Sequence, residues 1–166
     1  MNFLKQIQFY HTSKFKLIIQ SYTIMAWQCS GSNSKELLFN LQKVGIIKSE
    51  STLRAMTYVD RERYTSRNPF QDSPQSIGSN ATISAPHMHA HCLELLNISP
   101  GDKVLDIGCG SGYLTSCFSY LSGSEGFVVG MDHISELVEK SKKNIESDHP
   151  ELLNQIFFQG TCCENN

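Results

Sequence analysis

The sequence predicts an α/β fold organised around a parallel, doubly wound sheet, and three observations carry that prediction. From Lys103 onward, apolar runs of strand length alternate with stretches of helical period, the pattern of strands joined by right-handed helical crossovers. The run Val104-Leu105-Asp106-Ile107 leads directly into Gly108-Cys109-Gly110-Ser111-Gly112-Tyr113, with glycines at alternate positions. Glycines so placed let a strand turn sharply into a helix while a ligand approaches bare backbone. A second apolar run, Phe127-Val128-Val129-Gly130-Met131, ends at Asp132, and a carboxylate there is how such a sheet holds ribose hydroxyls.

The elements follow in order. The first 24 residues carry Lys5, Lys14 and Lys16 and no acid. They read as an upstream extension with Met25 as an alternative start; a mitochondrial presequence is the competing reading, but it would be richer in arginine. Ser34 is placed to cap a helix reaching about Val44, with Leu37, Leu38, Leu41 and Val44 on one face and Gly45 as its stop. A second helix spans Ser49 to Tyr58, with Leu53 and Met56 facing the core. Residues 59–85 hold no sustained period and contain Asn68-Pro69, Ser73-Pro74 and Gly78. They read as a long ordered loop, which in a compact domain is usually functional. Pro86 suits the first turn of a helix continuing through His91, Leu93, Leu95 and Leu96, and Pro100-Gly101 makes a turn. Leucine and phenylalanine positions in the helices are expected in the core. The alternation then gives strand 103–107, helix 111–121, strand 127–131, helix 134–147 and strand 155–159. Three strands leave an unpaired edge and uncovered apolar faces, so the sheet reads as lacking its C-terminal half, with 161–166 as a tail of neither strand nor helix character.

Composition narrows the function classes. A chain of 166 residues with 40% hydrophobic and 18% charged residues suits one soluble globular domain with an appendage. The net charge of −2 gives no electrostatic reason to expect nucleic acid as a partner, and no apolar run approaches the ~20 residues of a membrane span. The six cysteines include no CxxC pair, which favours a reduced compartment, the cytosol. His87-Met88-His89-Ala90-His91 puts His87 and His91 on one helical face, but no third ligand accompanies them and Cys162-Cys163 are adjacent residues in the tail, so no metal is expected.

The glycine loop admits two cofactor readings. A nicotinamide site prefers G-x-G-x-x-G, whereas here Gly108, Gly110 and Gly112 alternate and Asp106 precedes them. A carboxylate there repels a pyrophosphate but accepts hydrogen bonds from an ammonium. The charge pattern therefore favours S-adenosyl-L-methionine, which has an ammonium and no phosphate. Asp132 then takes the ribose hydroxyls and His133 lies beside the adenine.

Several motifs resemble the protein-L-isoaspartate (D-aspartate) O-methyltransferases. These are Asn68-Pro69-Phe70-Gln71-Asp72-Ser73-Pro74-Gln75-Ser76-Ile77-Gly78, the string Ala81-Thr82-Ile83-Ser84-Ala85-Pro86-His87-Met88-His89-Ala90, the loop Leu105 to Gly112, and Asp132-His133-Ile134-x-Glu136-Leu137. The resemblance runs from Met25-Ala26-Trp27 to about residue 159. It implies a class I, Rossmann-like S-adenosylmethionine-dependent methyltransferase fold with a helical N-terminal subdomain. The division is then 1–24 as extension and 25–166 as a partial catalytic domain: a helical and substrate-loop part (25–100), three strands of the sheet (101–160) and the tail.

The resemblance further implies methyl transfer to the α-carboxyl of isoaspartyl, and possibly D-aspartyl, residues of damaged proteins, initiating repair, in a monomer. Ser84 is the position it assigns to catalysis, orienting the carboxylate. Ala81, Thr82, Ile83, Ser84, His89, Ser111, Asp132 and His133 are the positions it assigns to the cofactor, beside Asp106, Gly108, Gly110 and Gly112. The family pattern continues beyond the third strand with a Gly-Asp-Gly-Arg-like segment, which here reads Gly160-Thr161-Cys162-Cys163. The competing expectation is therefore a catalytically inactive fragment that acts only through binding.

Overall fold

The computed structural model describes residues 29–160. The extension 1–24, the segment Met25-Ala26-Trp27 and the tail 161–166 with Cys162-Cys163 lie outside the described residues. Two helices open the fold, α1 (Ser34–Lys43) and α2 (Glu50–Tyr58). Asn33, not Ser34, caps α1, its side chain accepting from the Glu36 N–H, while Ser49 caps α2 through Thr52. Leu37, Leu38 and Leu41 are buried as the period requires, whereas Leu53 is only half-buried and Thr52, Ala55 and Met56 form the inner face of α2.

The segment 59–85 is ordered but is not a plain loop. It holds a short 3-10 turn (Arg61–Arg63) and an antiparallel hairpin of β1 (Gln75–Gly78) and β2 (Ala81–Ile83). Ser79 and Asn80 at its tip have φ of 49° and 54°, the left-handed pair that matches strand twist in a two-residue turn. Ser-Asn is an uncommon choice for such a turn, which is why the hairpin escapes a reading by turn residues. Helix α3 (Pro86–Leu96) follows, with Pro86 in its first turn and Ala85 in the capping position without a side-chain bond. Asp72 takes over that task from a distance, Oδ1 accepting from the His87 N–H at 3.0 Å and meeting His87 Nδ1 at 2.8 Å.

Strands β3 (Lys103–Ile107), β4 (Phe127–Asp132) and β5 (Ile156–Gly160) form a parallel sheet in the order β3-β4-β5. They are joined by α4 (Tyr113–Ser122) and by α5 (Ser135–Asp148) followed by a 3-10 turn at Pro150–Gln155. In register, Asp106 lies beside Gly130 and Asp132 beside Gly160. Both connecting helices pack on the face carrying Asp106, Val128 and Gly130. A Cβ on Gly130 would meet Thr115 of α4, and one on Gly160 would approach Ser135 and Val138 of α5. On the opposite face Leu105, Ile107, Phe127 and Phe157 are exposed. Among the described residues the sheet is therefore covered on one side. Phe39, Leu95 and Leu96 are also exposed, so not every helical leucine and phenylalanine is core.

The helices ahead of the sheet are tied to it by polar contacts around Tyr58, Tyr64 and Asp148. Tyr64 Oη meets Ser116 Oγ at 2.9 Å and donates to Asp148 Oδ2 at 3.1 Å, and that oxygen also accepts from the Asp60 N–H. The Tyr58 ring stacks on His149 with centroids 3.8 Å apart.

Candidate functional site

The site is built where β3 ends. The Gly108 and Cys109 N–H groups both donate to the Met131 carbonyl, at 2.8 and 2.9 Å, which turns the chain away from the sheet edge. Gly112 then starts α4 with φ of 86°, and a Cβ there would lie 3.0 Å from Ser141 Cβ and 3.2 Å from its Cα. This glycine is required by both its left-handed backbone and the close approach of α5. Helix α5 grips the loop from that side. Ser141 Oγ donates to the Gly110 carbonyl and Asn144 Nδ2 to the Ser111 carbonyl, each at 2.9 Å. Lys140 Nζ donates to the Ile77 carbonyl, which ties the hairpin to the same helix. These three side chains were missed from sequence; helical spacing alone does not distinguish them from a solvated face.

A cavity of about 210 Å³ opens between the glycine loop, β2 and α3. Of the residues singled out from sequence, Thr82, Ile83, Ser84, His89, Asp106, Gly108, Gly110 and Ser111 line it, together with Met88, Cys92, Ile107, Cys109, Tyr113 and Leu114. Ala81, Gly112, Asp132 and His133 are not in the lining. Ala81 pairs with Gly78 in the hairpin, and Gly112 packs on Ser141. Asp132 points beneath the loop, where Oδ2 accepts from the Gly110 N–H at 3.0 Å and Oδ1 from the Ile134 N–H at 3.1 Å. Each oxygen keeps a further lone pair. His133 lies beside it, Nδ1 3.4 Å from Asp132 Oδ1, with its side chain exposed.

Three groups give the cavity its chemistry. Ser84 is exposed and its hydroxyl has no protein partner among the described residues, so it is not spent on capping α3. Asp106 is buried, and Thr115 Oγ1 donates to its Oδ2. Burial pushes this carboxyl above the usual aspartate range, the Thr115 hydrogen bond opposes the shift, and nearby Asp132 adds to it. An ammonium brought to Asp106 would restore the charged form and answer its buried charge. His89 is buried, its Nδ1 3.0 Å from Arg61 Nη1. Burial, Arg61 and His87 hold its imidazole well below the usual histidine value. Arg61 itself was not anticipated, because Asp60-Arg61-Glu62-Arg63 reads as a solvated charge run. The Nδ1 of His87 is engaged by Asp72, and no cluster of three or more metal-ligating residues occurs among the described residues.

A parallel sheet with a strand–glycine-loop–helix passage, a carboxylate closing the next strand and a cavity over the glycine loop make a Rossmann-like nucleoside-binding architecture. A family profile for protein-L-isoaspartate(D-aspartate) O-methyltransferase matches residues 32–162. The chain belongs to that family. It is 47% identical over 141 residues to the protein-L-isoaspartate O-methyltransferase of Caenorhabditis elegans, covering 82% of this chain and 63% of that protein. Against protein-L-isoaspartate O-methyltransferase 1 of Arabidopsis thaliana it is 49% identical over 126 residues, covering 73% of this chain and 55% of that one. The chain thus spans little more than half the length of these curated relatives. A Plasmodium falciparum crystal structure assigned as protein-L-isoaspartate O-methyltransferase, in complex with S-adenosyl-L-homocysteine, superposes with a TM-score of 0.74 at 38% identity, covering 80% of this chain and 65% of that one. No helix among the described residues is long and apolar enough to cross a membrane.

Proposed function

We propose that this chain carries the cofactor-binding and methyl-transferring site of a protein-L-isoaspartate O-methyltransferase acting on isoaspartyl residues in proteins and peptides. The observation that carries the reading is the Ser84 hydroxyl, free of protein partners among the described residues, in a cavity it shares with Asp106 and the glycine loop. The donor set suits the cofactor, since the buried Asp106 complements an ammonium and disfavours a phosphate. When bound, S-adenosyl-L-methionine supplies an electrophilic methyl group on a sulfonium sulfur. The acceptor, an isoaspartyl α-carboxylate, is ionised at neutral pH, about three units above its reference pKa, so the site needs no strong base. Ser84 would donate to that carboxylate and hold its orientation in the cavity, a positional task. Asp132, outside the cavity lining but beneath the glycine loop, would hold the ribose hydroxyls with its remaining lone pairs, and His133 beside it would face the adenine.

In this reading the helical and substrate-loop part presents Ser84 and contributes Thr82, Ile83 and His89 to the cavity, and the sheet part supplies the glycine loop and Asp106. Each chain carries its own cavity, so a monomer suffices, and the cytosol fits the composition. The test is transfer of label from S-adenosyl-L-methionine to an isoaspartyl peptide, with the aspartyl peptide as control and a longer family member run in parallel. Isoaspartyl-specific labelling that falls in Ser84→Ala, with affinity for S-adenosyl-L-homocysteine kept, is the expected result. Calorimetric binding of S-adenosyl-L-homocysteine without any labelling would instead identify a binding-only chain.

A further inference from the structure

Arg61 is 3% exposed, yet no carboxylate lies within ion-pair distance of it among the described residues. A buried guanidinium without a carboxylate carries an unreturned desolvation cost, so its contacts show what it is kept for. Nε donates to the Pro69 carbonyl at 2.8 Å, Nη2 to the Ser84 carbonyl at 2.8 Å, and Nη1 meets His89 Nδ1 at 3.0 Å. The guanidinium carbon stands 5.3 Å from the centroid of the Tyr113 ring, an arrangement that offsets part of the charge burial. One side chain thus holds the backbone of the cavity serine and the ring of the cavity histidine.

The contact with His89 has only one polarity. Arginine stays protonated and has donors but no acceptor, so Nδ1 must accept and the ring proton must sit on Nε2. No protein partner takes Nε2 among the described residues, and His89 lines the cavity. We propose that Arg61 is a positioning residue of this site, fixing His89 as the neutral Nε2–H tautomer and Ser84 in its backbone orientation. His89 then offers the cavity a hydrogen-bond donor and no acceptor. That donor suits a carboxylate or carbonyl oxygen and disfavours an ammonium, which is left to Asp106. Tyr113 of α4 packs beside this ring, and burial and the charge of His87 on its own helix work with Arg61 to keep it neutral. The link to methyl transfer rests on the function proposed above; the tautomer does not.

The experiment separates the two. Long-range proton–nitrogen correlation spectra of the ¹⁵N-labelled full chain report the tautomer of each imidazole, with His89→Asn assigning the signal. We expect the Nε2–H pattern for His89 from about pH 8 to about pH 5, with no protonation near the ordinary value. An Nδ1–H pattern, or a ring that titrates normally, would overturn the proposal whether or not the cofactor binds. In Arg61→Lys, which keeps the charge but loses the planar fork, the ring is expected to mix tautomers. Affinity for S-adenosyl-L-homocysteine should fall about tenfold, the scale of one well-placed hydrogen bond. A lysine variant with the wild-type tautomer and affinity would also overturn it. Wild-type protein that shows the Nε2–H pattern but binds no S-adenosyl-L-homocysteine supports the Arg61 assignment and overturns only the cofactor reading. Should the lysine variant fail to fold, the wild-type spectrum alone decides.

Discussion

Asp106 shows how a single residue can serve a ligand at the expense of the free protein. Its carboxyl is held above the ordinary range by burial, so the folded chain holds this proton more tightly than the unfolded chain, whose value is near 3.8. The stabilisation from that tighter grip is complete below the unfolded value and is lost as pH rises through the folded one. At neutral pH the buried carboxylate is therefore a liability that the Thr115 hydrogen bond offsets in part and a cation in the cavity would offset further. Asp106→Asn is expected to raise the melting temperature of the ligand-free protein near neutral pH and to flatten its pH dependence in the acid range. It should also weaken S-adenosyl-L-methionine binding by about 1.5–3 kcal/mol, the worth of a charged hydrogen bond. Thermal melts across pH together with calorimetry check both halves, and an unchanged melting temperature with unchanged affinity would remove Asp106 from this role.

At the scale of elements, α3 is secured from outside itself. Its capping position is Ala85 with no side-chain bond, and Asp72, fifteen residues earlier, supplies the acceptor for the His87 N–H. The Asp72 side chain is fully buried and its Oδ2 has no nitrogen or oxygen hydrogen-bond partner among the described residues. The Cys29 thiol lies beside it, pushed up to about 11 by burial and by the Asp72 charge and hydrogen bond. Asp72→Ala strips the helix terminus and leaves a buried gap, with an expected loss of about 1–3 kcal/mol in denaturant unfolding. A loss confined to less than half a kcal/mol would mean that water replaces the carboxylate freely. The same contact shows the reach of sequence reasoning. Periodicity located α1 to α5 and β3 to β5 to within about two residues because each obeys one local repeat. It could not show that Asp72 caps α3, that Arg61 is buried, or that Ser141 and Asn144 hold the glycine loop. Those facts depend on which segments meet in space. The string around Ser84 was legible only through family resemblance, since no periodicity predicts it, whereas Gly108, Gly110 and Asp106 could be argued from backbone and charge alone. Asp132 was legible as a carboxylate at a strand end, but its service to the Gly110 N–H was not.

At the scale of the whole fold, the sheet face left uncovered among the described residues is the dominant surface feature. Leu105, Ile107, Phe127 and Phe157 are 55%, 78%, 43% and 52% exposed, and they lie on the face opposite α4 and α5. An apolar face of this kind binds hydrophobic dyes. Phe157→Lys replaces an exposed side chain that supports no core contact on the covered face, so it should reduce dye fluorescence markedly while leaving stability within about 0.5 kcal/mol. Unchanged fluorescence would mean that this face is not what the dye reads.

The strand order β3-β4-β5 follows the order of synthesis, and it has a consequence for a chain emerging from the ribosome. Every residue lining the cavity falls between Thr82 and Leu114, so the walls of the site are made before β4 is translated. The groups that steady those walls, Asp132 beneath Gly110 and the Lys140–Asn144 turn of α5, arrive later. The nascent protein therefore has the outline of a ligand site well before it has a rigid one, and competence to bind should appear only once α5 has left the exit tunnel.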